Sequence, residues 1–249
     1  MSTRTVIGSY LSPYVRKLLA VMNLKGLDYR IDPIAGFFGS DAFSELSPLR
    51  RIPVLIDDQL TLCDSTVICE YLDERYPQPA LLPSSAADRA RARWLEEYAD
   101  TRMGEVFIWQ LFYQRAIGPR IFGQTTDEAA LQRALEVEIP QVLDYLERQL
   151  PAEGFLFGAS LMLADIAIAV HFRNAAFLRW QVDAALWPRC AAYVDRVLAQ
   201  DCLARLRPYE EHMLRVPVTE QRAALAAFGA PLSEETWGGQ TPRRGLMKI

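Results

Sequence analysis

The chain is poor in the residues that metal and redox chemistry need. Only two histidines occur, His171 and His212, and the four cysteines, Cys63, Cys69, Cys190 and Cys202, are scattered with no Cys-x-x-Cys pair. A zinc or haem site has too few ligands, and the thiols read as packed or surface groups of a reducing compartment rather than a disulfide framework. No Gly-x-Ser-x-Gly elbow is present, so nothing points positively to a serine hydrolase. Long apolar runs are missing too: the most apolar stretch, 161–170, is interrupted by Asp165. The opening residues lack the apolar core of a signal peptide. There is no Lys/Arg block and the net charge is −4, which disfavours nucleic acid and an anionic membrane surface as partners. These absences predict a cytoplasmic protein.

What is present falls into two parts. At 249 residues there is room for one large domain or two modest ones. The first eighty-odd residues alternate strand and helix signals. Residues 5–10 form a β-branched run, and 13–24 carry Val15, Leu18, Leu19 and Met22 at the i, i+3, i+4, i+7 spacing of an amphipathic helix. Lys25 and Gly26 close that helix, the glycine as a left-handed residue. A second strand is expected over 27–34 and a short helix over 37–46. Runs 53–56 and 60–63 flank the hairpin-like pair Asp57-Asp58, and Asp64 opens a helix with Val67, Ile68, Tyr71 and Leu72 on its inner face. From Pro77 a proline-rich linker intervenes and strand signals vanish. Helical periodicity then covers 88–116, 126–150, 163–178 and 187–214, with a break near Asp201. Residues 219–228 suit one more helix closed by Gly229, and 230–249 read as extended.

Three short segments carry chemistry when taken together: Ser12-Pro13, Ile52-Pro53 and Asp64-Ser65. Ser12-Pro13 is a hydroxyl cap with proline at the first helical position. Capping its own helix explains Ser12 cheaply. The same geometry lets a hydroxyl and the positive helix end stabilise a bound thiolate. Ser9, Tyr10 and Tyr14 are rival hydroxyls within a few residues. A proline entering a strand at 53 belongs at an edge or bend, where a cis bond would present the Ile52 peptide groups to an extended ligand. Asp64-Ser65 caps a helix whose free amides suit a carboxylate, with Asp64 beside an ammonium. Arg50-Arg51 are either a solvated pair or a fork for a second carboxylate. Such an edge suits a short peptide with one thiol and two carboxylates, and glutathione is the candidate.

The stretch Ile7-Gly-Ser-Tyr-Leu-Ser-Pro-Tyr-Val-Arg-Lys17 resembles bacterial members of the cytosolic glutathione S-transferase family with a Ser-Pro-x-x-Arg-Lys signature. The likeness runs over roughly residues 4–210, and Gly158 with Ala164-Asp165-Ile166-Ala167 is similar to the start of the family's central helix. It implies an α/β plus all-α fold: a thioredoxin-like domain over 1–83 with a mixed four-stranded sheet, an all-helical domain over 84–216, and an extension over 217–249. It further implies that Ser12 activates the thiol, that Ile52 and the cis-proline Pro53 hold the cysteinyl backbone, and that Asp64 and Ser65 grip the γ-glutamyl end. Arg51 would face the glycyl carboxylate, and Arg16 is structural. The family's capping hydroxyl on the central helix is replaced here by Met162, which leaves Asp165 half a capping box and puts the helix register in question unless Ser160 shifts the start.

The expected activity is conjugation of glutathione, the co-substrate, to a small hydrophobic electrophile, without a metal, by a detoxifying homodimer. A second-substrate pocket would draw on Tyr10, Tyr98, Phe107, Phe112 and Tyr113, although aromatics at this density also make ordinary core. Glutathione-dependent isomerisation or dehalogenation is a neighbouring reading, and a non-catalytic binding scaffold is one of a different class. The tail, with Trp237 and Leu246-Met247, is expected to pack over the domain junction.

Overall fold

A computed structural model describes residues 4–243. Strand β1 (Arg4–Ile7), helix α1 (Pro13–Leu24) and strand β2 (Tyr29–Asp32) form a βαβ unit in which β1 and β2 run parallel. A 3₁₀ turn (Gly36–Phe38) and the short helix α2 (Asp41–Leu46) lead to β3 (Val54–Ile56) and β4 (Thr61–Cys63). The sheet order is β2-β1-β3-β4; β3 is antiparallel to both β1 and β4, with Ile7 opposite Val54 and Leu55 opposite Leu62. Helix α3 (Ser65–Arg75) follows. The mixed four-stranded sheet is the one the sequence implied. Its strands are shorter than the apolar runs because Gly8 and Pro33 end β1 and β2 early.

Helix α1 is buried on every side: the stripe Val15, Leu18, Leu19 and Met22 is inaccessible, and so are Lys17, Ala20 and Val21. It packs against α3 and, from the far end of the sequence, α10 (Asp201–Ala204). Gly26 closes α1 at φ +66°, donating its amide to Asn23 O. On α3 the inward stripe is Ser65, Ile68, Cys69 and Leu72. Val67, expected inside, is about half exposed because it falls one residue off that stripe.

Two compact units divide the chain: one runs to Pro79 and resumes at Asp201, and the other is Ala80–Gln200. The second unit is all helix. It holds α4 (Ala86–Tyr98), a wider π-type winding over Ala99–Ile117, α5 (Gly118–Phe122), α6 (Glu128–Arg133), a second π-type stretch (Ala134–Glu138), α7 (Ile139–Gln149), α8 (Leu163–Phe177) and α9 (Pro188–Leu198). Helix α8 is buried along nearly its whole length. It starts at Leu163 with Met162 as cap, so Ser160 does not move the register. Asp165 supplies the half box: its carboxylate accepts from Met162 N at 2.8 Å, from Leu156 N at 2.9 Å and from the Tyr193 hydroxyl. No described helix is long and apolar enough to cross a membrane.

The helices after Asp201 belong with the sheet, which differs from the division expected at residues 83 and 216. These are α10, α11 (Arg207–Leu214), a 3₁₀ turn (Val218–Glu220) and α12 (Gln221–Ala227). Asn23 donates to Cys202 O at 2.9 Å, and the buried Arg16 forms an ion pair with the equally buried Glu210. Hydrophobic periodicity reports that a helix is amphipathic, not which core it covers.

Candidate functional site

The site grows from the carboxyl end of β1 and the amino end of β3, which lie side by side because the two strands are antiparallel. Gly8 ends β1 at φ +154°, and a Cβ there would stand 2.4 Å from Val15 Cγ2 and 3.3 Å from Ile52 Cβ. Only a bare Cα lets the first turn of α1 and the loop before β3 close on the same point. From the next turn of α1, the buried Lys17 reaches the start of α3, its Nζ donating to Thr66 Oγ1 at 3.1 Å. Those two contacts gather the starts of α1 and α3 and the Ile52-Pro53 loop at one sheet edge. Neither Gly8 nor Lys17 was singled out from sequence as a site-builder; a glycine between a β-branched run and a helix cap was the available signal for the first.

Ser12 is the N-cap of α1, with extended backbone at φ −80°, ψ 129°, and its Oγ accepts from Val15 N at 3.4 Å. A hydroxyl has one donor and two acceptor sites, so this cap bond leaves the O–H able to donate to a ligand. Among the rivals, Ser9 is buried and its Oγ accepts from Leu11 N at 3.2 Å. Tyr10 is 1% exposed and stacks on Tyr209 with centroids 5.0 Å apart. Burial, then the neighbouring Tyr29 and Tyr209, push its phenol well above the usual tyrosine range. Tyr10 is therefore a core residue, poorly suited either to ionise beside a thiol or to line an open pocket.

The Ile52–Pro53 bond is cis. Among the described residues neither the amide nor the carbonyl of Ile52 has a hydrogen-bond partner, whereas β3 pairs on from Val54. An extended peptide can pair there as an added strand. Asp64 caps α3, its Oδ1 accepting from Thr66 N at 2.9 Å and Val67 N at 3.3 Å. Its φ of +78° lies where non-glycine residues cost about 1–3 kcal/mol and cluster at functional sites. Ser65 is buried, yet its amide and hydroxyl engage no other described residue. That is a donor pair at a helix N-terminus, suited to a carboxylate.

The two arginines before Ile52 separate. Arg50, itself at φ +53°, turns back to hold the start of α2, donating to Gly39 O at 2.7 Å and to Ser44 Oγ. Arg51 is exposed, its backbone clamped by Ser47 Oγ, which accepts from Arg51 N and donates to Arg51 O. Arg16 is structural as expected: it pairs with Glu210 and donates to Tyr10 O at 3.2 Å.

With this geometry in view, comparison with known proteins decides the lineage. Residues 6–80 match the glutathione S-transferase N-terminal domain and residues 128–196 its C-terminal domain. A GST-like protein of Escherichia coli, YibF, is 30% identical over 209 residues, covering 82% of this chain and 98% of its own. The chain belongs to the glutathione S-transferase family. A maleylacetoacetate isomerase of Pseudomonas aeruginosa is 28% identical, covering 80% of this chain and 93% of its own. The crystal structure of a glutathione S-transferase from Rhodospirillum rubrum superposes with a TM-score of 0.73 at 27% identity, covering 82% and 91% of the two chains. This transferase fold implies glutathione as co-substrate. Among the described residues no cluster of three or more His, Cys, Asp or Glu is placed to hold a metal.

The aromatics named for a second substrate are packed inside their own units. Phe107 is fully buried between Phe172 and Trp180, with centroids 4.9 and 5.7 Å away. Phe112 lies against Phe177, Tyr98 against Tyr145 at 4.5 Å, and the Tyr113 hydroxyl donates to Gln124 Oε1 at 2.8 Å. Phe107 is core rather than lining. A cavity of about 320 Å³, lined by Asn23, Tyr29, Arg205 and Tyr209, opens at the other end of α1 and has no part in the site.

Proposed function

We propose that this protein binds glutathione along the Ile52 edge and activates its sulfur at the start of α1 for attack on a small apolar electrophile. The observation that carries it is the convergence at one sheet edge of a capping hydroxyl, an unpaired peptide edge and a carboxylate-sized donor pair. In this reading the cysteinyl backbone pairs with the Ile52 amide and carbonyl, next to Pro53. The γ-glutamyl carboxylate accepts from the Ser65 amide and hydroxyl, Asp64 faces its ammonium, and Arg51 serves the glycyl carboxylate. The thiol releases its proton to solvent. The resulting anion is held by the Ser12 O–H and the α1 dipole, as the resemblance to bacterial members with the Ser-Pro-x-x-Arg-Lys signature implies. Attack forms the S–C bond while the leaving group departs with its bonding pair. Acceleration comes from the thiolate fraction and from proximity.

Calorimetry with millimolar glutathione and conjugation of a chloronitrobenzene acceptor test the proposal. Heat of binding with thioether formation is expected; no heat and no conjugate would refute it.

The Pseudomonas isomerase among the relatives favours a second reading, glutathione-dependent cis–trans isomerisation of an unsaturated diacid. There the sulfur adds to a double bond, the new single bond rotates, and elimination returns glutathione unchanged. Thiol titration separates the two reactions: conjugation consumes glutathione one for one, isomerisation turns over with a trace of it.

A further inference from the structure

The segment between β2 and β3, residues 33–53, carries Arg51 and Ile52 but has little structure of its own. It holds a three-residue 3₁₀ turn and the six-residue α2, too short to hold itself in place. What covers it is the far end of the chain. Pro231 O accepts from Ile31 N at 2.8 Å and Ser233 N donates to Ile31 O at 3.0 Å, laying the strand-like pair Ile31–Leu232 along the open side of β2. The chain then crosses to the 33–53 segment: Trp237 O accepts from Ser40 N, and Gly239 N and Arg243 N donate to Phe38 O and Phe37 O. Arg243 also pairs with Asp41.

One buried residue locks the crossing. The Asp32 carboxylate is inaccessible and gathers Arg222 Nη1 at 2.6 Å, Thr236 Oγ1 at 3.0 Å and Trp237 N at 2.7 Å. The Trp237 side chain packs on the cluster of Ile7, Phe43 and Val54, the same cluster that seats Ile52 and Ile34. This corrects the expectation that Trp237 packs over the domain junction. Leu246 and Met247 lie outside the described residues.

We propose that residues 230–243 act as a strap that positions the 33–52 segment, with Trp237 as its positioning residue, and so sets affinity for the backbone and glycyl end of glutathione. The proposal rests on the glutathione reading above. The sulfur-activating Ser12 lies on a different element, so the strap bears on binding and leaves the chemical step alone.

Steady-state kinetics and calorimetry on Trp237→Ala, Trp237→Phe and wild type test it, each with a melting curve. Trp237→Ala is expected to raise KM and Kd for glutathione on the order of tenfold, with kcat at saturating glutathione and the pH–rate midpoint unchanged. Trp237→Phe restores most of the affinity. Arg243→Ala, whose side chain is outside the core, folds regardless and shifts KM the same way by about twofold. Unchanged glutathione affinity in a folded Trp237→Ala protein overturns the strap proposal, as does a fall in kcat alone. If Trp237→Ala does not fold, an unchanged KM in Arg243→Ala overturns it instead. Wild type that binds no glutathione overturns the site reading and this proposal together.

Discussion

Replacing Ser12 by Ala separates the two jobs that its hydroxyl can hold. The structural job is small. The cap bond to Val15 N is long, 3.4 Å, and Pro13 needs no partner, so its loss costs about 0.5–1 kcal/mol. Helix α1 is buried on all sides and keeps its place, and a chain of this size loses only about 2–4 °C in Tm per kcal/mol. The chemical job is larger. A hydrogen bond to an ionised sulfur contributes about 1.5–3 kcal/mol, which corresponds to a thiol pKa lower by roughly 1–2 units. In the variant the pH–rate midpoint therefore moves up by about 1–2 units. At neutral pH the rate drops by about 10–100-fold, and it recovers at alkaline pH, where the thiolate forms unaided. The assay is the pH dependence of kcat/KM for conjugation, with thiolate absorbance of the binary complex as an independent reading. An unmoved midpoint in a folded, glutathione-binding Ser12→Ala protein would refute the role, and Ser9→Ala would be the next variant to examine.

Three further outcomes are expected. Glu210→Ala removes the carboxylate that compensates the buried Arg16 guanidinium and should cost about 3–5 kcal/mol in urea denaturation. The double variant Arg16→Met/Glu210→Leu should lose less than that single one; a larger loss would show the pair contributing beyond its mutual compensation. Asp165→Ala removes the acceptor of Leu156 N, Met162 N and the Tyr193 hydroxyl, and a fall of about 3–5 kcal/mol is expected; a loss below 1 kcal/mol would mean that water replaces the carboxylate. Burial pushes the Cys202 thiol up to about 11. Its folded-state value is raised, so the native state keeps a proton that the unfolded chain releases. That contribution is fully present below about pH 8.5 and is lost as pH rises toward 11. Urea midpoints of wild type should fall faster across this window than those of Cys202→Ala, and parallel slopes would contradict the assignment.

Much of this architecture was legible before any coordinates. The 3.6-residue stripe of α1, the left-handed glycine at its end, the helix starts at Pro13 and Ser65, and the break near Asp201 are local properties of the chain, and local chemistry fixes them. The candidate site was legible for the same reason, since Ser12 and Asp64 are caps whatever else they do. What stayed hidden is set by distant partners. Tyr10 read as an available hydroxyl because nothing nearby announces Tyr209, 199 positions later, stacked on it. Arg50 and Arg51 looked like equals, and only the left-handed backbone at Arg50 turns one of them back onto α2. Val67 looked internal because a β-branched residue is apolar on either face. The clearest overlooked sign was Asp32, a fully buried carboxylate at the end of β2, whose donors Arg222, Thr236 and Trp237 come from some two hundred residues later.

The pairing of Ile31 with Leu232 has a consequence for how this protein is made. During synthesis the sheet emerges first but waits for some two hundred more residues before its outer edge is sealed, while the intervening helices can assemble on their own. A fragment cut at the proline-rich linker would keep every strand and still present a raw margin to other chains, inviting aggregation. The sheet-bearing unit thus closes only after the helices between its two parts have been made.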